Sequence, residues 1–214
     1  MHISDGVLSA PVLAAGWATC SVGVIASTWK LDDDDLPQVA VMTSVFFVAS
    51  FLHVPWGVQS FHLSLPALMG IVLGKRVFVA TAVAVLFQAL LTAHGGFTTI
   101  GVTTTILAAP AWVAGLIFQR YLAGRTVVTQ SLGAAVLSVG AILVAVLLQG
   151  LALVASGEEF FALATWQVLI LLPLTVVEAL VTAPVVLFLG QVKPALLGSR
   201  PESTDVRDAD ASGD

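Results

Sequence analysis

Residues 131–155 read SLGAAVLSVGAILVAVLLQGLALVA, a run of 25 positions without one charged side chain. As a helix rising about 1.5 Å per residue, such a run is long enough to cross roughly 30 Å of hydrocarbon. Outward from it, comparable apolar runs fall at 8–29, 37–54, 77–93, 102–119 and 166–189. A shorter one, 63–74, starts beside Pro66 and reads as a tilted or partly re-entrant helix whose unpaired backbone groups must be covered by protein rather than lipid. With it the count is seven. Of the 214 residues, 58% are hydrophobic and only 10% charged, and the mean hydropathy is +1.01. A soluble chain of this length cannot enclose that much apolar surface, so the surplus must face lipid. The expected fold class is therefore all-α, a polytopic membrane protein of about seven transmembrane helices, multi-pass in the plasma membrane with the lipid bilayer as its surroundings.

The basic residues test the count, because Lys and Arg collect on the cytoplasmic side of a membrane protein. Lys30 follows the first run, Lys75 and Arg76 the third, Arg120 and Arg125 the fifth, and Lys193, Arg200 and Arg207 the seventh. All eight share one side only if 63–74 is a crossing. The N-terminus is then outside and the C-terminus cytoplasmic. The net charge of −5 arises mainly from Asp32 to Asp35 and from the acidic residues after Arg200, both read as solvated segments. Residues 1–190 are expected to form one membrane-embedded unit, and 191–214 a disordered polar cytoplasmic tail. No Lys or Arg precedes Lys30, so the first run lacks the basic start of a secretory signal and is kept in the mature chain. Cys20, the lone cysteine, can make no internal disulfide and reads as a small packing residue.

On the same map all four histidines, His2, His53, His62 and His94, fall on the outer side. One loop histidine means little, but four on one face suggest a transition-metal site near the outer surface, since neutral imidazole is a common ligand for borderline metals. The start Met1-His2-Ile3 sharpens this. The α-amine of Met1 with the backbone and ring nitrogens of His2 can close two fused chelate rings around one ion, in a square-planar, nitrogen-rich field that suits Ni(II) or Cu(II) better than Zn(II). A fourth nitrogen must come from elsewhere, and His62 or His94 could provide it. Asp5 either orients an imidazole or serves as a turn or cap acid before Gly6. Amine and imidazole must both shed protons to ligate, so affinity is expected to fall below about pH 6.5.

Met-His-Ile-Ser-Asp-Gly at 1–6 resembles the start of the cobalt and nickel substrate-capture components of energy-coupling-factor transporters, the CbiM/NikM type. Gln88 to Gly101, QALLTAHGGFTTIG, is similar to that family's histidine-glycine-glycine loop, above all its cobalt version. Leu172-Pro173-Leu174 through Glu178 and Thr182 resembles the family's last crossing. The likeness spans about residues 1–190. It implies a planar metal site built from Met1, His2 and His62, with an N-terminal loop that plugs the helical bundle. It also implies Co(II) or Ni(II) as transported substrate, a transmembrane coupling subunit, two cytoplasmic ATPase subunits, and room for a small auxiliary membrane subunit. The sequence departs from the family in the bulk around His62, Ser60-Phe61-His62-Leu63-Ser64, and in Val102-Thr103 where an asparagine commonly follows the glycine loop.

Other residues carry weaker signals. Ser60 and His94 are candidates to hydrogen-bond or complete the metal site, although Gly95 and Gly96 equally suggest a close-packed turn around His94. Glu178, near the middle of the last run, is costly in lipid unless it faces the bundle and pairs with a polar group such as Gln88 or Gln149. Ala10, Ala14 and Ala18 share a helical face suited to close packing, against a partner subunit or within the bundle. The chain has no phosphate-binding loop and no hydrolase motif, so energy must come from a partner, and neither an enzyme nor a nucleic-acid partner is expected. The competing reading is a stand-alone divalent metal channel or secondary transporter, which predicts ionisable residues along a path through the bilayer. A metal sensor would need a cytoplasmic output domain, which the short tail cannot form.

Overall fold

The computed structural model describes residues 2–29, 31–56, 59–93 and 95–198. Seven α-helices dominate: α1 (Ala10–Thr28), α2 (Leu36–Ala49), α3 (Pro66–Leu73), α4 (Val77–Thr92), α5 (Ile100–Tyr121), α6 (Val127–Val154) and α7 (Phe161–Val192). Five helical stretches have the length and hydropathy of a membrane span, with Pro66–Thr92 taken as one of them. The chain is a multi-pass α-helical membrane protein. Its helices carry large apolar side chains outward, including Val22, Leu90, Leu147, Leu151 and Leu180, as lipid-facing surfaces require.

Pro66–Thr92 is broken rather than continuous. Gly74 takes φ 56°, and a single 3-10 turn, Gly74–Arg76, reverses the path between α3 and α4. This turn meets the end of α1 and the start of α2. Ser27 Oγ donates to the Lys75 carbonyl at 2.7 Å, Lys75 Nζ donates to the Trp29 carbonyl at 3.1 Å, and Gln38 Nε2 donates to the Val72 carbonyl at 2.8 Å. Arg76 pairs with Asp35, so the acidic run read as merely solvated also holds this corner. One end of the bundle thus gathers the described basic residues, and the other gathers the described histidines. α3 has only 8 residues, about 12 Å of helix, before the Gly74–Arg76 turn at the basic end, so it starts deep inside the bundle.

The sequence placed a loop between the second and third runs, but the chain there forms strands. Helix α2 ends at Ala49, where the Ser50 hydroxyl donates back to the Phe47 carbonyl. β2 (His53–Trp56) and β3 (Gln59–His62) then make an antiparallel hairpin, and β1 (His2–Ile3) pairs with β3 in the order β1-β3-β2. Such non-helical backbone is stable at membrane depth only when paired and enclosed by protein.

Small residues set the closest helix crossing. A Cβ on Gly70 would lie 1.7 Å from the Ala111 carbonyl oxygen, and one on Gly115 would lie 2.1 Å from the Gly70 oxygen, so α3 and α5 touch backbone to backbone. α1 packs through Gly16, Cys20 and Ser27 and leaves Ala10, Ala14 and Ala18 exposed. At the far end α7 runs past residue 190 to Val192, and the turn Pro194–Leu197 buries Leu197. Helix α7 thus ends two residues past position 190; residues 199–214 lie outside the described residues.

Candidate metal centre

Two of the predicted ligands meet. In the sheet, His2 faces Ser60 across β1 and β3, and His62 is two residues further along β3, so both rings share one face by the period-two alternation of strands. The imidazoles stack with centroids 4.8 Å apart and planes at 29°. Both are nearly inaccessible, 2% exposed for His2 and 1% for His62. Phe46 of α2 meets the His62 ring edge-on at 5.7 Å between centroids. His62 Nδ1 lies 3.0 Å from the Leu63 carbonyl. A carbonyl only accepts, so Nδ1 carries the proton in this contact and the lone pair of a neutral ring is left on Nε2, the arrangement seen when a second contact fixes a ligand's tautomer.

The glycine loop closes over this pair. Gly95 adopts φ +74°, and a Cβ there would lie 2.9 Å from His2 Nδ1. At Gly96 a Cβ would lie 2.0 Å from Asp5 Oδ1, so both positions need glycine for close approach. Asp5 accepts backbone hydrogen bonds from Phe97 at 3.1 Å and Thr98 at 2.9 Å, and a further one from the Thr98 hydroxyl. The Thr98 hydroxyl most of all holds the Asp5 carboxyl below its ordinary value; burial opposes it, and the amides of Thr98 and Phe97 add smaller lowering contributions. Asp5 is thus a strap for the loop; among the described residues its hydrogen bonds are with Phe97 and Thr98. Thr99 Oγ1 donates to the Ile3 carbonyl at 2.8 Å, Trp17 Nε1 donates to the Thr98 carbonyl at 2.9 Å, and the Ser9 amide donates to Ser156 Oγ at 3.0 Å. Residues 2–9 are thereby pinned to the α4–α5 loop and to the α6–α7 loop, and the α4–α5 loop is in turn tied to α1.

The remaining sequence candidates divide. Met1 and His94 lie outside the described residues. Ser60 is placed by register opposite His2. His53 pairs in register with His62 but is exposed, its Nδ1 3.1 Å from the Phe51 carbonyl. Gln88 is fully buried, yet no hydrogen bond joins it to Glu178. Instead the Glu178 carboxylate accepts from the backbone amides of Ser64 at 2.6 Å and Leu65 at 2.8 Å. The expectation of a glutamine partner is corrected, because an uncapped helix start presents stronger unmet donors than an amide side chain. Leu65 is held at φ 47°, a conformation that costs a non-glycine residue about 1–3 kcal/mol. Ser64, Leu65, Thr98, Thr99 and Trp17 were not singled out from sequence; Pro66 at the first helical position was the one local sign of a helix start there.

The sequence matches the family CbiM, described as the cobalt uptake substrate-specific transmembrane region, over residues 2–196. The chain belongs to the CbiM family. Its members are membrane components of metal uptake transporters and not enzymes, and this chain is one of them. A protein of Haemophilus influenzae named for metal transport is 32% identical over 202 residues, covering 92% of this chain and 97% of that protein. The cobalt transport protein CbiM of Geobacter sulfurreducens is 30% identical over 218 residues, covering 92% of this chain and 61% of its own length. A crystal structure of a truncated transition metal transporter superposes with a TM-score of 0.65 at 22% identity, covering 89% of this chain and 99% of that one, which shows the CbiM-family chain to share its fold.

Proposed function

We propose that this CbiM-family chain is the substrate-binding subunit of an ATP-driven energy-coupling-factor uptake transporter, capturing Co(II) or Ni(II) at a chelate of Met1, His2 and His62. The observation that carries this reading is the stacked and buried His2–His62 pair beneath the glycine loop. Imidazole donors suit borderline transition metals, and bonds of about 2.0–2.1 Å bring two such nitrogens close together. Among the described residues no group of three or more His, Cys, Asp and Glu gathers to hold an ion. Further donors on this pair therefore come from another source, and the α-amine of Met1 with the amide nitrogen of His2 is the source whose geometry closes fused rings. Relatives named for cobalt transport favour Co(II) as cargo, while the planar nitrogen field accommodates Ni(II) equally.

The histidine end faces outward and the basic end inward, following the distribution of Lys and Arg. Residues 1–190 and their short extension form the membrane unit, with the acidic tail in the cytoplasm. The chain carries no phosphate-binding loop, so a transmembrane coupling subunit and two ATPases supply the work, with a small auxiliary membrane subunit as a further partner. A stand-alone channel or secondary transporter fits less well. Glu178 is the one fully buried Asp, Glu, Lys or Arg among the described residues, and it is committed to Ser64 and Leu65.

The test is Ni(II) and Co(II) titration of purified protein with its native N-terminus against a variant carrying one alanine inserted between Met1 and His2. The insertion keeps every side chain but lengthens the chelate. Loss of binding in the variant, with an unchanged melting profile without metal, is the expected result. Equal binding in both proteins overturns the N-terminal chelate.

A further inference from the structure

Helix α3 begins beside Glu178, near the middle of α7, and the amides of Ser64 and Leu65 just ahead of its first turn are buried there. Those amides need an acceptor, and a helix N-terminus favours an anion. Glu178 is that acceptor. Its Oε1 takes the Ser64 amide at 2.6 Å, the Ser64 hydroxyl at 3.2 Å and the Leu65 amide at 3.1 Å, and its Oε2 takes the Leu65 amide at 2.8 Å. The same turn carries the metal-site contact. His62 Nδ1 donates to the Leu63 carbonyl, and the Leu63 amide donates to the Leu52 carbonyl at 3.1 Å. A chain of direct contacts thus runs from α7 through Ser64 and Leu65 to Leu63 and the His62 ring.

We propose that Glu178 is a positioning residue for metal capture: it holds the turn 63–65 in the shape that aims His62 and ties the state of the metal site to the position of α7. The inference rests on the His2–His62 reading given above. It assigns a reason for an acid rather than an amide. In Glu178→Gln one oxygen becomes an NH2 group, a donor set against the Leu65 donor, while the side-chain volume is kept. Leu65 sits in the left-handed region and before Pro66, so without the clamp the turn relaxes to an extended form and carries the Leu63 carbonyl away from His62. Pro173 and Pro184 interrupt the α7 hydrogen-bond ladder on either side of Glu178, leaving the segment between them able to follow the turn.

The experiment uses the full chain with its native N-terminus in detergent, titrated with Ni(II) and read by calorimetry and by visible absorption of the bound ion. Wild type, Glu178→Gln and His62→Ala are compared. The expected result is an affinity loss of about 10–100-fold in Glu178→Gln, the size typical when a group supporting a ligand is removed. Its absorption band should shift toward that of His62→Ala. A purely structural role would lower the fraction of protein that binds and leave the band of the bound ion unmoved, which overturns the proposal. If His62→Ala shifts the band and Glu178→Gln matches wild type, the positioning role fails while the metal-site reading stands. If His62→Ala itself matches wild type, the metal-site reading fails and this inference with it. Should Glu178→Gln not fold, hydrogen exchange of wild type decides. Ni(II) should slow exchange at residues 63–65 and around 178, and equal exchange with and without Ni(II) overturns the proposal.

Discussion

Helices α6 and α7 run for 28 and 32 residues, whereas α2 and α3 run for 14 and 8. The long pair turns Leu147, Leu151, Leu172, Val176 and Leu180 outward, away from the rest of the bundle. Every residue of α3 is buried, and it is joined to the strand that carries His62, a proposed metal ligand. The difference separates two ways of satisfying backbone in a membrane. A long helix satisfies itself, while a half-length helix must borrow acceptors, here the Glu178 carboxylate, and must be covered on all sides. The short region can therefore carry donors at depth, and it tolerates little change.

The same substitution placed in each region should break the two apart. Gly70→Ala puts a Cβ where the Ala111 carbonyl already stands, 1.7 Å away, and backbone cannot yield as a flexible side chain can. α3 and α5 must separate, at a cost of about 3 kcal/mol or more, the upper end for overpacking. Because α3 follows the His62 turn directly, metal binding should be lost with it. Thermal melting in detergent, with and without Ni(II), checks both parts. A melting midpoint equal to wild type would mean that this crossing is looser than the contact implies.

This contrast also marks what sequence could reveal. Runs such as 131–155 and 166–189 announce themselves by length alone, and α6 and α7 follow them within five residues at each end. α3 was legible for a different reason, since Lys75 and Arg76 fall on the same side as the other basic residues only if 63–74 crosses. The hairpin was hidden because the apolar run 37–54 passes smoothly from α2 into β2. A sign was nonetheless present. Ser60, His62 and Ser64 alternate with Phe61, Leu63 and Leu65, the period of a strand. The meeting of His2 with His62 could be suspected from residue type and side. The Glu178 clamp could not, because its partners are backbone amides some 113 and 114 residues away and carry no signature in side-chain type.

Asp5 sharpens the comparison from the outer edge, where the site is held by an exposed strap rather than by buried packing. Its folded-state pKa is lowered by the Thr98 hydroxyl and the amides of Thr98 and Phe97. The contribution to docking of residues 2–9 is then fully present above the ordinary value of 3.8 and is lost as pH falls below it through the lowered pKa. From pH 8 to 5 Asp5 should contribute no pH dependence, so any fall in metal affinity there comes from groups other than Asp5. Asp5→Asn should weaken Ni(II) binding by about 2- to 5-fold, since the group is exposed and screened. Its pH profile between 8 and 5 should run parallel to wild type. Calorimetry across that range checks this, and a profile of altered slope in Asp5→Asn would move Asp5 from strap to ligand chemistry.

The smallest effect is expected at Gly140, in the long region. A Cβ built there meets nothing within 4 Å, and the residue is exposed on α6. Alanine is a better helix former than glycine by up to about 1 kcal/mol, and in a bilayer the gain is reduced because the undocked segment is already helical. Gly140→Ala should therefore leave the isolated subunit at its wild-type stability or slightly above, with Ni(II) affinity unchanged. The informative readout is uptake by cells carrying the whole transporter. Gly140 opens onto a groove lined by Ala109, Pro110, Val136 and Ala141, which lipid chains fill without geometric demand. Unchanged uptake fits a face that meets only lipid. A loss of uptake with binding and stability intact would place a neighbouring subunit against α6, and the long helices would then be constrained from outside as α3 is constrained from within.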